Sequence, residues 1–459
     1  MTLSVKQVCE KIWQMETDLR LFDTQVHGVT VWPLMRMSMY YKICTATDVF
    51  STPHSERLSA GSVAHYALNT IKAPFRTSLH GGEKKKYLVF DHPRKVLVGG
   101  AYVDIYTESL LALLPSEDTE VFENWYEGRH WTTPMPNRHV LDDLAVGAAL
   151  AQMKPLRLKS AEKDFVAEIE KRVQADFGIR VSMRANVKKE IRHHLYCVQY
   201  FLKLLRAKQP ERVFLVVSYS WYKRALIVAA KQLGIETVEL QHGTFSPYHL
   251  GYNFPLDTGE VACFPERFYS FGNYWNKLAR LPIEPDKIET HGFAHFHNQL
   301  KHLGEAKKEA KRILFISQGV IGKHLAVVGK AVAELLPDYT IAYKLHPGEY
   351  TLWKTDYPEL MAASELPNVE VLDNSNSGLY EQFAASKYLV GAFSTAIYEG
   401  LALGCVTFIV DVPGVEYMDG LVENNIVFKA KNANEIAELI GKGERPTPIQ
   451  QDDFFAPVK

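Results

Sequence analysis

After residue 210, short apolar segments alternate with amphipathic ones in a regular order. The segment RVFLVVSYS (212–220) has the composition of a strand, YKRALIVAAKQLG (222–234) that of a helix closing on glycine, and IETVELQHG (235–243) that of a second strand. A strand, a helix and a strand in this order form a βαβ unit, which requires a parallel sheet and a right-handed crossover. The pattern predicts an α/β domain in this part of the chain.

A second alternating series begins at residue 312. Its strand-like segments are RILFISQ, YTIAYKLHP, NVEVLD, KYLVGAF and VTFIVD, and amphipathic stretches separate them. Strands that alternate with helices of this length are typical of a doubly wound sheet. We therefore predict an α/β fold with two Rossmann-like domains that face each other across a cleft, joined by a charged, helix-prone bridge over residues 300–312.

The domain bounds follow from where these patterns begin. Residues 1–80 contain the amphipathic stretch VWPLMRMSMYYKI and are interpreted as a helical N-terminal extension. Residues 81–300 form the first Rossmann-like domain and residues 301–459 the second.

The bulk composition excludes several classes of protein. A chain of 459 residues is too long for one ordinary core, and 52 basic against 53 acidic side chains provide no strong positive field for nucleic acid. The five cysteines show no paired CxxC spacing that would suggest a zinc or redox site. No apolar run is long enough to cross a bilayer, so we expect a cytoplasmic protein, either free or associated peripherally with the inner face of the membrane.

Polar residues follow two strands of the second series. Lys344 and His346 alternate out of the strand YTIAY, where both can donate to a phosphate, and Pro347 ends the strand. Ser394 and Thr395 lie between a strand and the helix AIYEGLALG, whose amino terminus is suited to binding an anion. The alternatives are a histidine tucked into a turn and hydroxyl groups that only cap a helix.

Two further positions complete the predicted site on this side. Glu399 lies one turn into that helix and could reach a ribose or a donor sugar, or it could be an ordinary solvated carboxylate. Gln241, His242, Gly243 and Thr244 follow the strand IETVEL. Glycine permits a sharp bend there, and the histidine pKa suits a general base, although a core histidine is the alternative.

The first strand of the amino-terminal half, YLVF, is followed by Asp91 and His92. Asp104, Tyr106 and Glu108 come shortly afterwards. These side chains are candidates for binding an acceptor, and Asp104 is the alternative base. They rest on position alone.

The motifs QHGT, KLHP and GAFSTAIYEGLALG, in this order, resemble those of bacterial surface-polysaccharide transferases of the GT-B fold. Two branches are similar: the CDP-glycerol glycerophosphotransferases, and the sialyltransferases and capsule Kdo transferases with a His-Pro motif. The resemblance implies that His346, Ser394 and Thr395 hold the phosphate of a cytidine nucleotide donor, and that His242 is the base.

The resemblance covers about residues 211–420 and has two departures. No acidic pair followed by glycine, which supplies the base in many bacterial sialyltransferases, occurs in the amino-terminal half. The tryptophan that often precedes His-Gly in the glycerophosphotransferases is replaced by Gln241.

These observations predict a metal-independent, inverting glycosyltransferase or glycerophosphotransferase-like enzyme of surface-polysaccharide synthesis. The donor is nucleotide-activated, CMP- or CDP-linked, and binds the second domain; a glycan or lipid-linked acceptor enters from the first. No cofactor or metal is expected, since no DxD pair stands at a convincing strand end. The alternatives are a sugar-nucleotide epimerase of the same architecture and a non-catalytic nucleotide-sugar-binding partner.

Overall fold

The computed structural model describes residues 3–49, 71–72, 83–98, 100–126, 129–131, 137–303, 307–319, 321–374 and 378–458. Residues 50–70 and 73–80 of the predicted extension lie outside the described residues. The extension begins with α1 (Val5–Asp18), a short hairpin of β1 (Gln25–Val26) and β2 (Val29–Thr30), and α2 (Trp32–Ala46).

The first domain is built on a seven-stranded parallel sheet in the order β7-β6-β3-β8-β9-β10-β11. Its elements are β3 (Tyr87–Phe90), β4 (Val96–Val98), β5 (Ala101–Val103), α3 (Glu108–Leu113), β6 (Thr119–Glu123), β7 (Arg138–Val140), α4 (Asp142–Gln152), α5 (Ser160–Phe177), α6 (Arg184–Lys208), β8 (Arg212–Val216), α7 (Lys223–Gln232), β9 (Glu236–Leu240), β10 (Arg267–Ser270), α8 (Asn273–Leu278), β11 (Ile288–Thr290) and α9 (Ala294–His302). The strands β4 and β5 form a separate antiparallel hairpin.

The second domain has a six-stranded parallel sheet in the order β14-β13-β12-β15-β16-β17. Its elements are β12 (Glu309–Ile316), α10 (Gly322–Leu335), β13 (Thr340–Lys344), α11 (Trp353–Asp356), α12 (Pro358–Ala363), β14 (Val369–Leu372), α13 (Leu379–Ala385), β15 (Ser386–Gly391), α14 (Thr395–Ala402), β16 (Val406–Val410), α15 (Asp419–Glu423), β17 (Phe428–Ala430), α16 (Ala433–Lys442) and α17 (Gln451–Phe454). The predicted fold class of two Rossmann-like domains with a helical extension is confirmed.

The sheets form where strands can be buried on both faces. In β3, Leu88 and Phe90 belong to the core beneath α4, α6 and α7, whereas Val89 points into the core on the opposite face. Continuous apolar strands of this kind are expected when helices cover both sides of a parallel sheet. Among the described residues, no helix has the length and apolar character needed to cross a bilayer.

The N-terminal extension packs against helices that lie between β7 and β8. The helices α1 and α2 share one apolar core with α5 and the first turns of α6. Tyr248 and Leu250, from the loop after β9, are buried in the same core. The extension is therefore attached to the loop that carries the predicted base.

Two segments lie differently from the sequence-based interpretation. The bridge 300–312 is predicted to be helical, but α9 ends at His302 and β12 begins at Glu309. The charged first half of β12 is exposed and continues into its apolar, buried half. The chain after Gln450 leaves the second domain and returns to the first. There Ala456 donates its N–H to the Phe271 carbonyl at 2.7 Å, and Trp275 donates its indole N–H to the Phe454 carbonyl at 2.7 Å.

Candidate active site between the domains

Both sheets reverse their strand order at a single point. In the first sheet the order reverses between β3 and β8, and in the second between β12 and β15. Ligands of open α/β sheets bind in the crevice outside the carboxyl ends of the strands at such a point. The crevice of the second sheet is next to Ser394 and Thr395, which follow β15, and that of the first is next to Asp91 and the loop after β8.

The backbone is strained directly after β8. Val217 has a φ of +63°, which is unfavourable for a β-branched residue and costs about 1–3 kcal/mol. The next backbone N–H, that of Ser218, donates to Oε1 of Glu239 at 2.9 Å. This turn places Tyr219 beside the predicted base.

His242 is the centre of a chain of hydrogen bonds. Its Nε2 lies 3.1 Å from the hydroxyl of Tyr219, and its Nδ1 lies 2.8 Å from the hydroxyl of Tyr252. Tyr252 in turn donates to Oε1 of Glu239 at 2.7 Å. Burial raises the pKa of this carboxyl, while the hydrogen bonds from Ser218 and Tyr252 lower it. The Tyr252 oxygen then accepts from Nδ1–H, which leaves the lone pair of the neutral imidazole on Nε2.

The surroundings keep His242 neutral. Burial, followed by the nearby His92, His249 and Lys223, holds its pKa well below the usual range. The ring of His92 stacks on that of His242 at 6.1 Å between centroids. The imidazole is therefore neutral at neutral pH and has a lone pair that can accept a proton, while the lowered pKa reduces its strength as a base.

The N-terminal extension holds the segment that carries Tyr252. Arg36 and Glu16 form a buried ion pair, and Arg36 also donates to the carbonyl oxygens of Leu250 and Asn253. Trp13 donates its indole N–H to Asn253 at 3.2 Å. The extension therefore fixes the backbone on either side of Tyr252.

The two domains meet at the predicted motifs. The hydroxyl of Thr244, from the first domain, lies 3.3 Å from that of Thr395 in the second. Ser394 caps α14 by accepting the N–H of Ala396 at 3.0 Å. A cavity of about 140 Å³ lies between them and is lined by residues of both domains. It is roughly large enough for one small ring or a phosphate group.

Glu399 faces this interface from α14. Its carboxyl accepts the hydroxyl hydrogen of Tyr380 at 2.8 Å, and burial raises its pKa to about 7. Burial raises the pKa of Tyr106 in the first domain, and the charges of Asp104 and Glu399 raise it further. The ring centroids of Tyr106 and His242 are 6.3 Å apart. Glu399 is thus a buried titrating group, rather than a solvated carboxylate.

The Lys344, His346 and Pro347 group is on the same edge of the second sheet, two strands from Ser394. The ammonium group of Lys344 is engaged by the carbonyl oxygen of Asn374 and the hydroxyl of Tyr350. His346 and Pro347 are exposed. Two strands separate the ends of β13 and β15 by about 10 Å, so His346 and Ser394 can share only a ligand that spans this gap.

One ring nitrogen of His346 can donate a hydrogen bond to a ligand. Its Nδ1 accepts the backbone N–H of Gly348 at 3.1 Å, which places the proton of a neutral ring on Nε2. No partner for that nitrogen occurs in the described part of the chain. Glu349 holds the turn by accepting the backbone N–H of His346 at 2.7 Å.

Asp104, the alternative base, is occupied by local hydrogen bonds. It accepts the N–H of His92 at 2.8 Å, the N–H of Tyr106 at 3.1 Å and the hydroxyl of Thr107 at 2.8 Å. These bonds use both carboxylate oxygens and fix the turn before α3, whereas Glu108 is exposed at the start of that helix. Of the two predicted bases, His242 is the better placed to accept a proton.

Asp91 is likewise part of a buried ion network. It pairs with Lys95 and with Arg138, the latter at 2.8 Å, while burial raises its pKa to about 6. Gln241 is also a structural residue: it donates to the Gly243 carbonyl at 2.8 Å and accepts the N–H of Phe271 at 2.8 Å. These contacts hold the loop on which His242 sits.

Gly243 adopts a backbone conformation that its neighbours could not. Its φ is +119°, in the region that favours glycine. The bend turns the chain from β9 toward Thr244 and the second domain.

No protein-family model matches the chain, and no curated sequence matches it significantly. Solved structures are similar at a low level. The UDP-GlcNAc 2-epimerase from Methanocaldococcus jannaschii is 10% identical, with 82% of this chain and 96% of that chain covered and a TM-score of 0.48. The glycosyltransferase SnogD from Streptomyces nogalater is 17% identical, with coverages of 80% and 96% and a TM-score of 0.39. TM-scores below 0.5 assign no activity.

Three residues of the site were not recognised from the sequence: Tyr219, Tyr252 and Glu239. Glu239 could have been recognised, because a carboxylate in the middle of the apolar strand IETVEL requires a buried partner. The tyrosines carried none, since only the folded loops bring them to His242. Within the described ranges, no three His, Cys, Asp or Glu side chains are grouped so that they could hold a metal ion; metal-independent chemistry stays a prediction.

Proposed function

We propose that the protein is a glycosyltransferase or glycerophosphotransferase-like enzyme that uses a CMP- or CDP-activated donor. The observation that supports it most is the meeting of two loops: the one bearing His242 and the one starting α14 touch through Thr244 and Thr395 at 3.3 Å. A base from one domain and an anion-binding helix terminus from the other thus face the same interface.

In the proposed reaction, an acceptor hydroxyl displaces Tyr219 from Nε2 of His242 and gives its proton to that nitrogen. The oxygen then attacks the donor carbon, or phosphorus for a glycerophosphate donor, opposite the departing phosphate. A new bond to the acceptor oxygen forms as the bond to the leaving nucleotide breaks. With a sugar donor, one such displacement inverts the anomeric centre.

The leaving phosphate would be stabilised by groups of the second domain. The N-terminus of α14 offers backbone N–H groups and a partial positive charge, and Nε2–H of His346 adds a donor. The ammonium group of Lys344, two residues before His346, contributes a positive charge and is held by Asn374 and Tyr350. These groups supply positive charge where negative charge develops.

The donor is tested by thermal shift with CMP, CDP, UDP, GDP and ADP, since a ligand of the folded state raises the melting temperature. We expect a response to cytidine nucleotides that is lost in His346→Ala and reduced in Ser394→Ala. Ser364→Ala, at the end of α12 in the same domain, is the control. No response to any of the five nucleotides would contradict the proposal.

Turnover is tested separately with the cytidine donor that binds and a panel of glycan and lipid-linked acceptors. His242→Ala should retain the thermal shift and lose about 10²–10⁴-fold in rate, the range for a general base. Full activity of this variant would remove His242 from the mechanism. Binding without turnover on any acceptor would favour a non-catalytic nucleotide-sugar-binding partner.

One observation favours a sugar-nucleotide epimerase as the second candidate. Glu399, with a pKa of about 7, and the neutral His242 both have Tyr106 as a neighbour, and an epimerase needs such paired titratable groups. An epimerase would incorporate solvent deuterium into a nucleotide sugar without any acceptor. The transferase would not.

A further inference from the structure

A surface patch away from the cleft combines exposed aliphatic side chains with cations. We call it the α4–α6 patch. It consists of Leu150, Met153 and Lys154 at the end of α4, and Lys189, Arg192 and Leu195 on α6. The three apolar side chains are 61%, 81% and 41% exposed. Exposed apolar side chains that form a contiguous patch rimmed by polar residues mark interaction sites.

The contacts between α4 and α6 bring these residues together. The Tyr200 hydroxyl donates to Asp143 at 2.8 Å, and the ring of Tyr196 lies against Gly147. The helices are therefore antiparallel, and the same pairing continues to Leu150 and Lys154 beside Arg192 and Lys189. Residues spaced by three or four lie on one helix face, which puts Leu195 next to Arg192.

The cations of the patch form no close ion pair within the described part of the chain. None of Lys154, Lys189 and Arg192 forms an ion pair with an acidic group in the described structure, although the chain as a whole is balanced at a net charge of −1. Glu190, the acidic residue nearest in sequence, is half-buried; burial raises its pKa, and the charges of Arg224 of α7 and of Lys189 lower it. The patch is thus a local positive field around an apolar centre.

From this geometry we propose that the α4–α6 patch binds the surface of an anionic phospholipid membrane. Leucine and methionine insert among acyl chains while flanking lysine and arginine contact the headgroups. Leucine and methionine cannot stack on bases, and the patch has no aromatic side chain, which disfavours single-stranded nucleic acid. A symmetric contact with a second copy would bring like charges together.

The inference goes beyond the proposed transfer reaction, because lipid binding needs no donor or acceptor. The test is co-sedimentation of the full chain with vesicles of phosphatidylcholine alone, and with vesicles in which about one third of the lipid is phosphatidylglycerol. We expect binding to the anionic vesicles only, weakened by salt. Failure to bind them, or equal binding to both kinds of vesicle, would overturn the proposal.

Two variants locate the binding surface. The triple variant Lys154→Gln, Lys189→Gln and Arg192→Gln should weaken the vesicle affinity by at least about tenfold. The pair Leu150→Gln and Met153→Gln should weaken it by a similar factor, and its exposed positions leave the fold intact. The matched control is Lys323→Gln, Lys354→Gln and Lys431→Gln, three exposed lysines of the second domain.

The results of these experiments distinguish a membrane from a nucleic acid as the ligand of the α4–α6 patch. Loss of vesicle binding in both patch variants, with binding unchanged in the control, supports the proposal. Wild-type affinity in either patch variant overturns it. Binding to a single-stranded RNA that the triple variant loses, without vesicle binding by the wild type, would assign the patch to nucleic acid instead.

Discussion

The hydroxyl of Tyr252 bridges His242 and Glu239, lying 2.8 Å from the imidazole Nδ1 and 2.7 Å from the carboxylate Oε1. Its single proton points to the carboxylate, so its oxygen accepts from Nδ1–H. The bridge thereby selects the tautomer of His242 whose Nε2 can take a proton. Glu239 acts on the histidine through Tyr252 and does not touch it.

Removal of this bridge should impair turnover and spare binding. In Tyr252→Phe the Nδ1–H loses its acceptor, so both tautomers become populated and the rate should fall by about tenfold or more. Nitrogen chemical shifts of His242 should show the mixed tautomers directly, with or without an assay. Tyr269→Phe, on β10 of the same sheet, is the control. A single unchanged tautomer in Tyr252→Phe would contradict the bridge.

Arg36 should be required for stability, because its removal leaves the Glu16 carboxylate buried without its cationic partner. Among the residues that the structure describes, Arg36→Met leaves Glu16, which is 1% exposed, with the indole N–H of Trp32 as its one side-chain donor. We expect the free energy of unfolding to fall by about 3–5 kcal/mol in urea denaturation. Adding Glu16→Gln should recover part of the loss. A single variant as stable as the wild type would show that the pair is dispensable.

Glu399 should make the protein less stable as the pH rises. Its pKa is about 7 in the folded protein against 4.5 ordinarily, so between these values the folded state holds a proton that the unfolded state has released. Stability from this group therefore falls between pH 4.5 and 7, by up to about 3 kcal/mol, and is constant above. Glu399→Gln should flatten this part of the curve in urea unfolding at pH 5 and pH 8. An unchanged slope would refute the assignment.

The charge of His130 should stabilise the fold, and this stabilisation should be lost at a higher pH than the pH range in which Glu399 acts. Burial lowers its pKa, but hydrogen bonds to Asp142 and Glu123 outweigh this and raise the pKa to about 9. The stability that its charge contributes is fully present below pH 6.5 and is lost as the pH rises through 9. His130→Asn should cost about 2–3 kcal/mol at pH 6 and less at pH 10. An equal cost at both pH values would contradict a protonated His130.

The two domains were predictable because their strands are continuous apolar runs. Each run from RVFLVV to VTFIVD became a strand of a parallel sheet, since helices on both faces demand apolar residues at every position. Residues 115–210 were not interpretable, because α4, α5 and α6 carry no motif and are defined by the core they share with other helices.

The site was only partly predictable. His242, Gly243 and Thr395 were found because they follow strands, and the carboxyl ends of parallel strands collect at one edge. Asp104 was selected by the same rule, and position alone could not reveal that its oxygens are consumed by neighbouring N–H groups.

The sequence by itself determined the alternation of strands and helices, and with it which residues stand at strand ends. This follows from local periodicity and burial, which a single chain segment can express. Only the tertiary structure decided that Tyr252 and Glu239 converge on His242, and that Arg36 holds their loop from the other end of the chain. Contacts between residues hundreds of positions apart depend on how packed elements meet, and no local pattern encodes them.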